Sequence, residues 1–205
     1  MNTNAPYRIL IIDDNPIIHN DYRKILSAGK CPNPAVDVLE ATLFEDLVPS
    51  RPIMTFEVES AFQGQEGLKL VEKSVLEGRP YALAFVDVRM PPGWDGVETA
   101  VQIWRACPEL QIVICTAYSD YHWEDIVRQL GRLDSLLMLK KPFDNIEVQQ
   151  MAHALCEKWR LAREIEAQTR DLEQKILERT AQLQAALGAG PNRNGTASAP
   201  TAAQS

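Results

Sequence analysis

No stretch of this chain approaches the roughly 20 consecutive apolar residues that a membrane-spanning helix needs. Its start, Met1-Asn2-Thr3-Asn4, lacks the charged-then-apolar pattern of a secretory signal. The cytoplasm is therefore the expected location. Basic residues are not in excess either, since 21 Lys and Arg against 28 Asp and Glu leave a net charge of −7. That balance gives no electrostatic reason to expect nucleic acid or an anionic membrane as a partner. The four cysteines (Cys31, Cys107, Cys115, Cys156) show no C-x-x-C spacing, and His19, His122 and His153 show no H-x-x-x-H spacing. A thiol redox pair and a soft-ligand metal site are both disfavoured, and each histidine is expected on a helix surface or in packing. What remains is ordinary for a globular protein: 45% hydrophobic and 24% charged residues in 205, enough for one domain and an extension.

The informative feature is a set of short apolar runs with chemistry at their ends. Ile9-Leu10-Ile11-Ile12 runs into Asp13-Asp14, and Leu83-Ala84-Phe85-Val86 into Asp87. Ile112-Val113-Ile114-Cys115 runs into Thr116, and Leu136-Leu137-Met138-Leu139 into Lys140-Lys141-Pro142. A fifth segment, Thr55 to Ser60, alternates apolar and polar residues as a half-exposed edge strand does. Helical stretches separate the runs, so they predict parallel strands in one doubly wound α/β sheet with helices on both faces. Ligands of such sheets sit outside the carboxyl ends of the strands, where three acids, a hydroxyl and an amine would converge.

Two further segments stand out. Cys31-Pro32-Asn33-Pro34 opens a piece in which Val36, Leu39, Leu43, Phe44 and Leu47 recur at helical spacing. This predicts an inserted helical segment over about 31–52. From Asp144 to Gly188 no proline or glycine interrupts the chain, which predicts a helix of roughly 40 residues capped by Asp144. Ile165, Thr169, Leu172, Ile176, Arg179, Leu183 and Ala186 lie along it at alternating spacings of four and three, a marginal heptad seam with two polar members that predicts a homodimeric coiled coil, with a solvated single helix as the alternative. Glu166 with Arg170 and Asp171 with Lys175 are acid-before-base pairs that favour the helix. The expected division is a domain over 1–155, a coiled-coil extension over 156–187 and a disordered Gly/Ala/Ser-rich tail over 188–205.

The acidic pair after the first strand, the Asp87-Val88-Arg89-Met90-Pro91 run after the third, Thr116-Ala117 after the fourth and Lys141-Pro142-Phe143 after the fifth resemble the receiver domain of bacterial response regulators. The resemblance spans about residues 7–155 and implies a flavodoxin-like sheet of strand order 2-1-3-4-5. It further implies that Asp87 accepts a phosphoryl group from a histidine kinase or phosphotransfer protein. Asp13, Asp14, Asp87 and the backbone carbonyl of Arg89 would hold Mg²⁺, a hard cation suited to oxygen ligands. Lys141 would neutralise phosphate charge, and Thr116, with the amide of Ala117, would bond a phosphate oxygen. The bond between Lys141 and Pro142 is expected to be cis.

Some residues depart from the family pattern. Met138 stands where many members carry an inward-turning aromatic residue, and a flexible methionine can repack there. The loop Met90-Pro91-Pro92-Gly93-Trp94-Asp95-Gly96 is one residue longer than usual, and Asp95-Gly96 reads as the turn into the next helix. Arg89 and Tyr118 would flank the phosphate and set its lifetime. Output is expected through the last helix and the surface of the fourth helix and fifth strand. The chain could equally be the regulatory front of a larger signalling enzyme such as a diguanylate cyclase, phosphodiesterase or histidine kinase. A Mg²⁺-dependent aspartyl-phosphate phosphatase is the rival class, but it needs a second acid that Asp87-Val88-Arg89 lacks.

Overall fold

The computed structural model describes residues 5–27, 54–117, 128, 130–131 and 134–188. The inserted segment 31–52, Tyr118, most of the helix expected between Tyr121 and Leu130, and the tail expected to be disordered lie outside the described residues. The chain divides into two compact units, 1–162 and 163–205. None of the described helices is long and apolar enough to cross a membrane.

The first unit is built on β1 (Tyr7–Ile12), β2 (Phe56–Ala61), β3 (Leu83–Asp87), β4 (Gln111–Thr116) and β5 (Leu136–Lys140). All neighbouring strands run parallel, in the order β2-β1-β3-β4-β5. The described helices are α1 (Pro16–Ser27), α2 (Gly64–Leu76), α3 (Gly96–Ala106) and α4 (Asn145–Gly188). The parallel strands are those that the apolar runs predicted, the flavodoxin-like order is the one that the resemblance implied, and the long last helix follows the uninterrupted stretch after Asp144.

Side chains alternate across a strand, so each run feeds two cores. Leu10, Ile12, Ala84, Val86, Ile112 and Ile114 face one way and pack with Val71 of α2 and with Val97, Ala100 and Ile103 of α3. Ile9, Ile11, Leu83, Phe85, Val113, Cys115 and Leu139 face the other way. They pack with Tyr22, Ile25 and Leu26 of α1 and with Val148, Ala152, Leu155 and Cys156 of α4. Burial on both faces is why the central strands read as unbroken apolar runs rather than alternating ones.

Local chemistry fixes where the helices begin. Asn15 Oδ1 accepts from the Ile17 amide at 3.0 Å, and Pro16 occupies the first turn, where its missing N–H costs nothing. At α3, Asp95 Oδ1 accepts from the Glu98 amide at 2.7 Å. At α4, Asp144 Oδ1 accepts from the Ile146 amide at 2.8 Å, while the Asp144 amide donates to Glu147 at 3.2 Å, a reciprocal cap.

The 44-residue α4 runs from the first unit into the second. Lys175 reaches Asp171 at 2.6 Å, as its i,i+4 spacing predicted. Arg170 instead donates from Nε to the carbonyl oxygen of Glu166, because the backbone acceptor one turn back lies nearer the stem of the side chain. In the single chain Ile165, Leu172, Ile176 and Leu183 of the seam are 59–65% exposed.

Phe85 is 1% exposed and lies in ring contact with Tyr22 at 4.7 Å. Phe85→Ala is expected to lower stability by about 3–5 kcal/mol in urea unfolding, the usual cost of truncating a core aromatic. A loss below about 1 kcal/mol would contradict the packing of this face.

Candidate functional site

The strand order reverses between β1 and β3, and their carboxyl ends form the crevice in which such sheets hold ligands. Asp13 follows β1 with its amide bonded to the Ala61 carbonyl at 3.2 Å, and is 3% exposed. Its Oδ1 accepts from the Asn15 amide at 2.9 Å, and its carbonyl accepts from His19 Nε2 at 2.7 Å. Asp87 ends β3, one register step above the buried Phe85 on the same face, with Cys115 as its partner on β4. Its Oδ2 accepts from the Arg89 amide at 2.9 Å.

Lys141 joins the two acids. Its amide donates to the Thr116 carbonyl at 2.8 Å, which pins the turn after β5 against the end of β4. Its Nζ then donates to Asp13 Oδ2 at 2.6 Å and to Asp87 Oδ1 at 2.5 Å. The Lys141–Pro142 bond is cis, as expected, and Pro91–Pro92 is cis as well.

Residues from three distant parts of the sequence therefore meet on one ammonium. Thr116 is buried beside this turn, and its hydroxyl donates to the Ala117 carbonyl at 2.9 Å. Asp14, Arg89 and Ala117 are exposed at the rim, Lys140 is exposed one residue before Lys141, and Met138 and Trp94 are half-buried.

The electrostatics follow from two carboxylates sharing one ammonium in a pocket largely shut off from water. Burial raises the Asp87 carboxyl above its ordinary range, and the hydrogen bond and charge of Lys141 oppose this without cancelling it. Asp13 adds to the rise, because one negative charge of the trio stays uncompensated. Burial alone would depress the Lys141 ammonium, but its bonds to Asp13 and Asp87 outweigh burial and hold it above the usual lysine value.

Among the described residues, no group of three or more His, Cys, Asp and Glu is already gathered around a metal position. The donor chemistry nonetheless fits a hard divalent ion. The facing oxygens are all carboxylate, and a cation, the Lys141 ammonium, already sits between two of them. Asp14 is at hand but exposed.

Several residues of the site escaped the sequence reading. Gly96 opens α3 where a Cβ would lie 2.3 Å from the Asp87 carbonyl oxygen and 2.9 Å from Val88 Cα, so only glycine lets this turn pass against the Asp87 backbone. Asp95-Gly96 was legible as a turn, but not the reason for it. His19 was expected on a surface or in packing; it is 1% exposed, packs on Phe62 at 4.7 Å and holds the backbone of Asp13. Tyr22 gave no signal beyond its place on the apolar face of a helix.

A family model described as the response regulator receiver domain matches residues 41–153, more than half of the chain, and the chain belongs to that family. The match contains Asp87, Thr116 and Lys141, while Asp13 precedes it and is brought to Lys141 by the fold. No curated protein matches the chain. Among solved structures, a CheY-like response regulator receiver domain protein from Methanospirillum hungatei JF-1 is 21% identical with a TM-score of 0.53, over 77% of this chain and 99% of that one. An adenylate cyclase structure from Rhodopirellula baltica is 20% identical with a TM-score of 0.58, over 81% and 98%. NtrX from Brucella abortus in complex with ATP is 21% identical with a TM-score of 0.55, over 79% of this chain but 29% of that one. These likenesses concern the fold.

The raised Asp87 carboxyl has a consequence for stability. The unfolded chain releases this proton first, so stability falls as pH rises from the ordinary carboxylate value through the folded one. Asp87→Asn removes that loss and leaves Lys141 its bond to Asp13. Without divalent cations, Asp87→Asn is expected to unfold at higher urea than the parent at about pH 7, with the gain shrinking towards about pH 3. A variant less stable than the parent at pH 7 would contradict the balance of burial over pairing.

Proposed function

We propose that this receiver domain is a phosphoacceptor of two-component signalling and that Asp87 takes the phosphoryl group. The observation that carries the reading is the Lys141 ammonium held on both Asp87 and Asp13 at the carboxyl ends of β3 and β1. A carboxylate and a counter-charge stand together there, next to the turn that Thr116 pins, and the family shown for the chain transfers phosphate at such a site.

In the step proposed, an Asp87 carboxylate oxygen attacks the phosphorus of a phosphohistidine on a histidine kinase or phosphotransfer protein. A P–O bond to Asp87 forms and the P–N bond breaks. The imidazole nitrogen leaves with the electron pair and takes up a proton. Lys141 places its positive charge against the phosphoryl oxygens, where charge builds in transfer. The Thr116 hydroxyl turns from the Ala117 carbonyl to a phosphoryl oxygen, and the Ala117 amide adds a donor. Asp13, Asp14, Asp87 and the Arg89 carbonyl would hold Mg²⁺, which when bound supplies further neutralisation of phosphate charge. Arg89, at the exposed rim, shields the product from water. The chain catalyses its own modification and does not turn over a substrate.

Incubation with acetyl phosphate and Mg²⁺ is expected to add about 80 Da, one HPO₃, to the parent chain and nothing to Asp87→Ala. Equal uptake by both would overturn the assignment.

The output proposed is a second copy of the chain. Ile165, Leu172, Ile176 and Leu183 form an apolar seam that water covers in the single chain and a partner helix would bury. The same seam suits the regulatory part of a larger signalling enzyme, a reading favoured by NtrX, of which the matched region is 29%. In either arrangement phosphorylation acts through α4 and the surface of β5. Sedimentation with and without beryllofluoride, a mimic of aspartyl phosphate, is expected to show different average masses; identical masses would count against coupling between site and helix.

A further inference from the structure

Beneath the acids lies a buried aromatic layer that the phosphoryl chemistry leaves unused. Tyr22 is 1% exposed and its ring lies 4.7 Å from Phe85 on β3 and 5.0 Å from Phe143. Phe143 is two residues past Lys141, and Phe85 is two residues before Asp87. One ring of α1 is thus wedged between the segments that carry the amine and the nucleophile. At its tip, the Tyr22 hydroxyl lies 3.1 Å from Cys115 Sγ. The Cys115 thiol is turned to the Val113 carbonyl at 3.9 Å, which leaves its sulfur to accept from the tyrosine. Cys115 is the register partner of both Asp87 and Leu139, the residue two before Lys141.

The electrostatics agree with this placement. Burial raises the Tyr22 hydroxyl, and the bond to Cys115 and the charges of Asp13 and Asp87 raise it further. Burial likewise pushes the Cys115 thiol up to about 12, so both partners stay neutral. Both groups sense the acids without touching them. A phenylalanine would fill the same volume without burying a hydroxyl that then needs a partner.

We propose that Tyr22 is a positioning residue for phosphoryl transfer: hydrogen-bonded to Cys115 and in tilted ring contact with Phe143, it holds the Lys141–Phe143 turn so that the ammonium stays over Asp87. The proposal rests on the reading of Asp87 as phosphoacceptor and adds a residue that the family motif does not contain. It also explains how a chain with Met138 in place of an aromatic residue can connect its site to the helices. The Tyr22–Phe143 pair belongs to the core that α1 and α4 share, whereas Met138 packs on the opposite core. A shift of Lys141 towards a bound phosphate pulls on Phe143, and through it on the layer against which Val148, Ala152 and Leu155 of α4 are packed.

The test is the initial rate of phosphorylation across a range of acetyl phosphate concentrations, with Mg²⁺, for the parent and four variants. Tyr22→Phe keeps the ring and deletes the hydroxyl, and Cys115→Ala deletes the same bond from the other side. Both are expected to lower the saturating rate by about three- to tenfold while leaving the half-saturating concentration unchanged, as misplacement of a charge-neutralising group does. The double variant should be no slower than the slower single, because one bond is lost in all three. Tyr81→Phe serves as control. It removes a buried tyrosine hydroxyl bonded to Glu59, with its ring against Arg8, and is expected to keep the parent's saturating rate. Parental rates in folded Tyr22→Phe and Cys115→Ala, with only their urea midpoints lowered, would overturn the proposal and leave the phosphoacceptor reading standing. A parent chain that takes up no phosphate would overturn both. Should Tyr22→Phe fail to fold, Cys115→Ala alone decides.

Discussion

The Lys141 ammonium, bonded to Asp13 at 2.6 Å and Asp87 at 2.5 Å, is the contact on which the rest of the site depends. Two carboxylates this close would repel each other if left alone, and burial makes each more costly to ionise. One cation between them makes the arrangement tolerable but does not neutralise it, so the pocket keeps an appetite for further positive charge. Under the proposed reading, that imbalance favours a hard cation before the reaction and sets an amine to meet the phosphoryl group during it. The same contact closes the fold, because it ties the ends of β1, β3 and β5 across 128 residues of sequence.

The alternation of side chains along parallel strands explains why the site lies where it does. Ile9 and Ile11 lead to Asp13, Leu83 and Phe85 lead to Asp87, and Leu139 leads to Lys141, all with the same parity. The trio of Asp13, Asp87 and Lys141 continues one core beyond the carboxyl ends of the strands. Thr116 and Lys140 have the opposite parity, which accounts for a threonine whose hydroxyl rests on the Ala117 carbonyl and a lysine that is exposed. Function here is built on packing, so the aromatic layer of Phe85, Tyr22 and Phe143 sits directly below it.

Much of this was legible in the sequence, because strand ends announce themselves. An apolar run that stops at Asp13, Asp87, Thr116 or the Lys140-Lys141 pair marks both a buried strand and the end where polar groups gather, and parallel order follows from the helices between. Boundaries moved by a residue or two: β3 and β4 each run one residue further than their apolar runs, because Asp87 and Thr116 still pair with Cys115 and Lys140. The shared lysine was not legible, since a side chain that bridges two acids is decided by rotamers after folding. Gly96 looked like a turn glycine, and only coordinates show the Asp87 carbonyl that a Cβ would strike. Tyr22 was hidden for a different reason: on an amphipathic helix a buried tyrosine reads as any other apolar residue until its hydroxyl is seen to have a partner.

The central claim is that one carboxylate among three neighbouring acids forms the covalent bond. Borohydride reduction of the phosphorylated chain, followed by peptide mapping, converts an aspartyl phosphate to homoserine and so marks the residue that carried it. The account predicts homoserine at position 87 alone. Homoserine at position 13 or 14, or none anywhere after phosphate uptake, would contradict it.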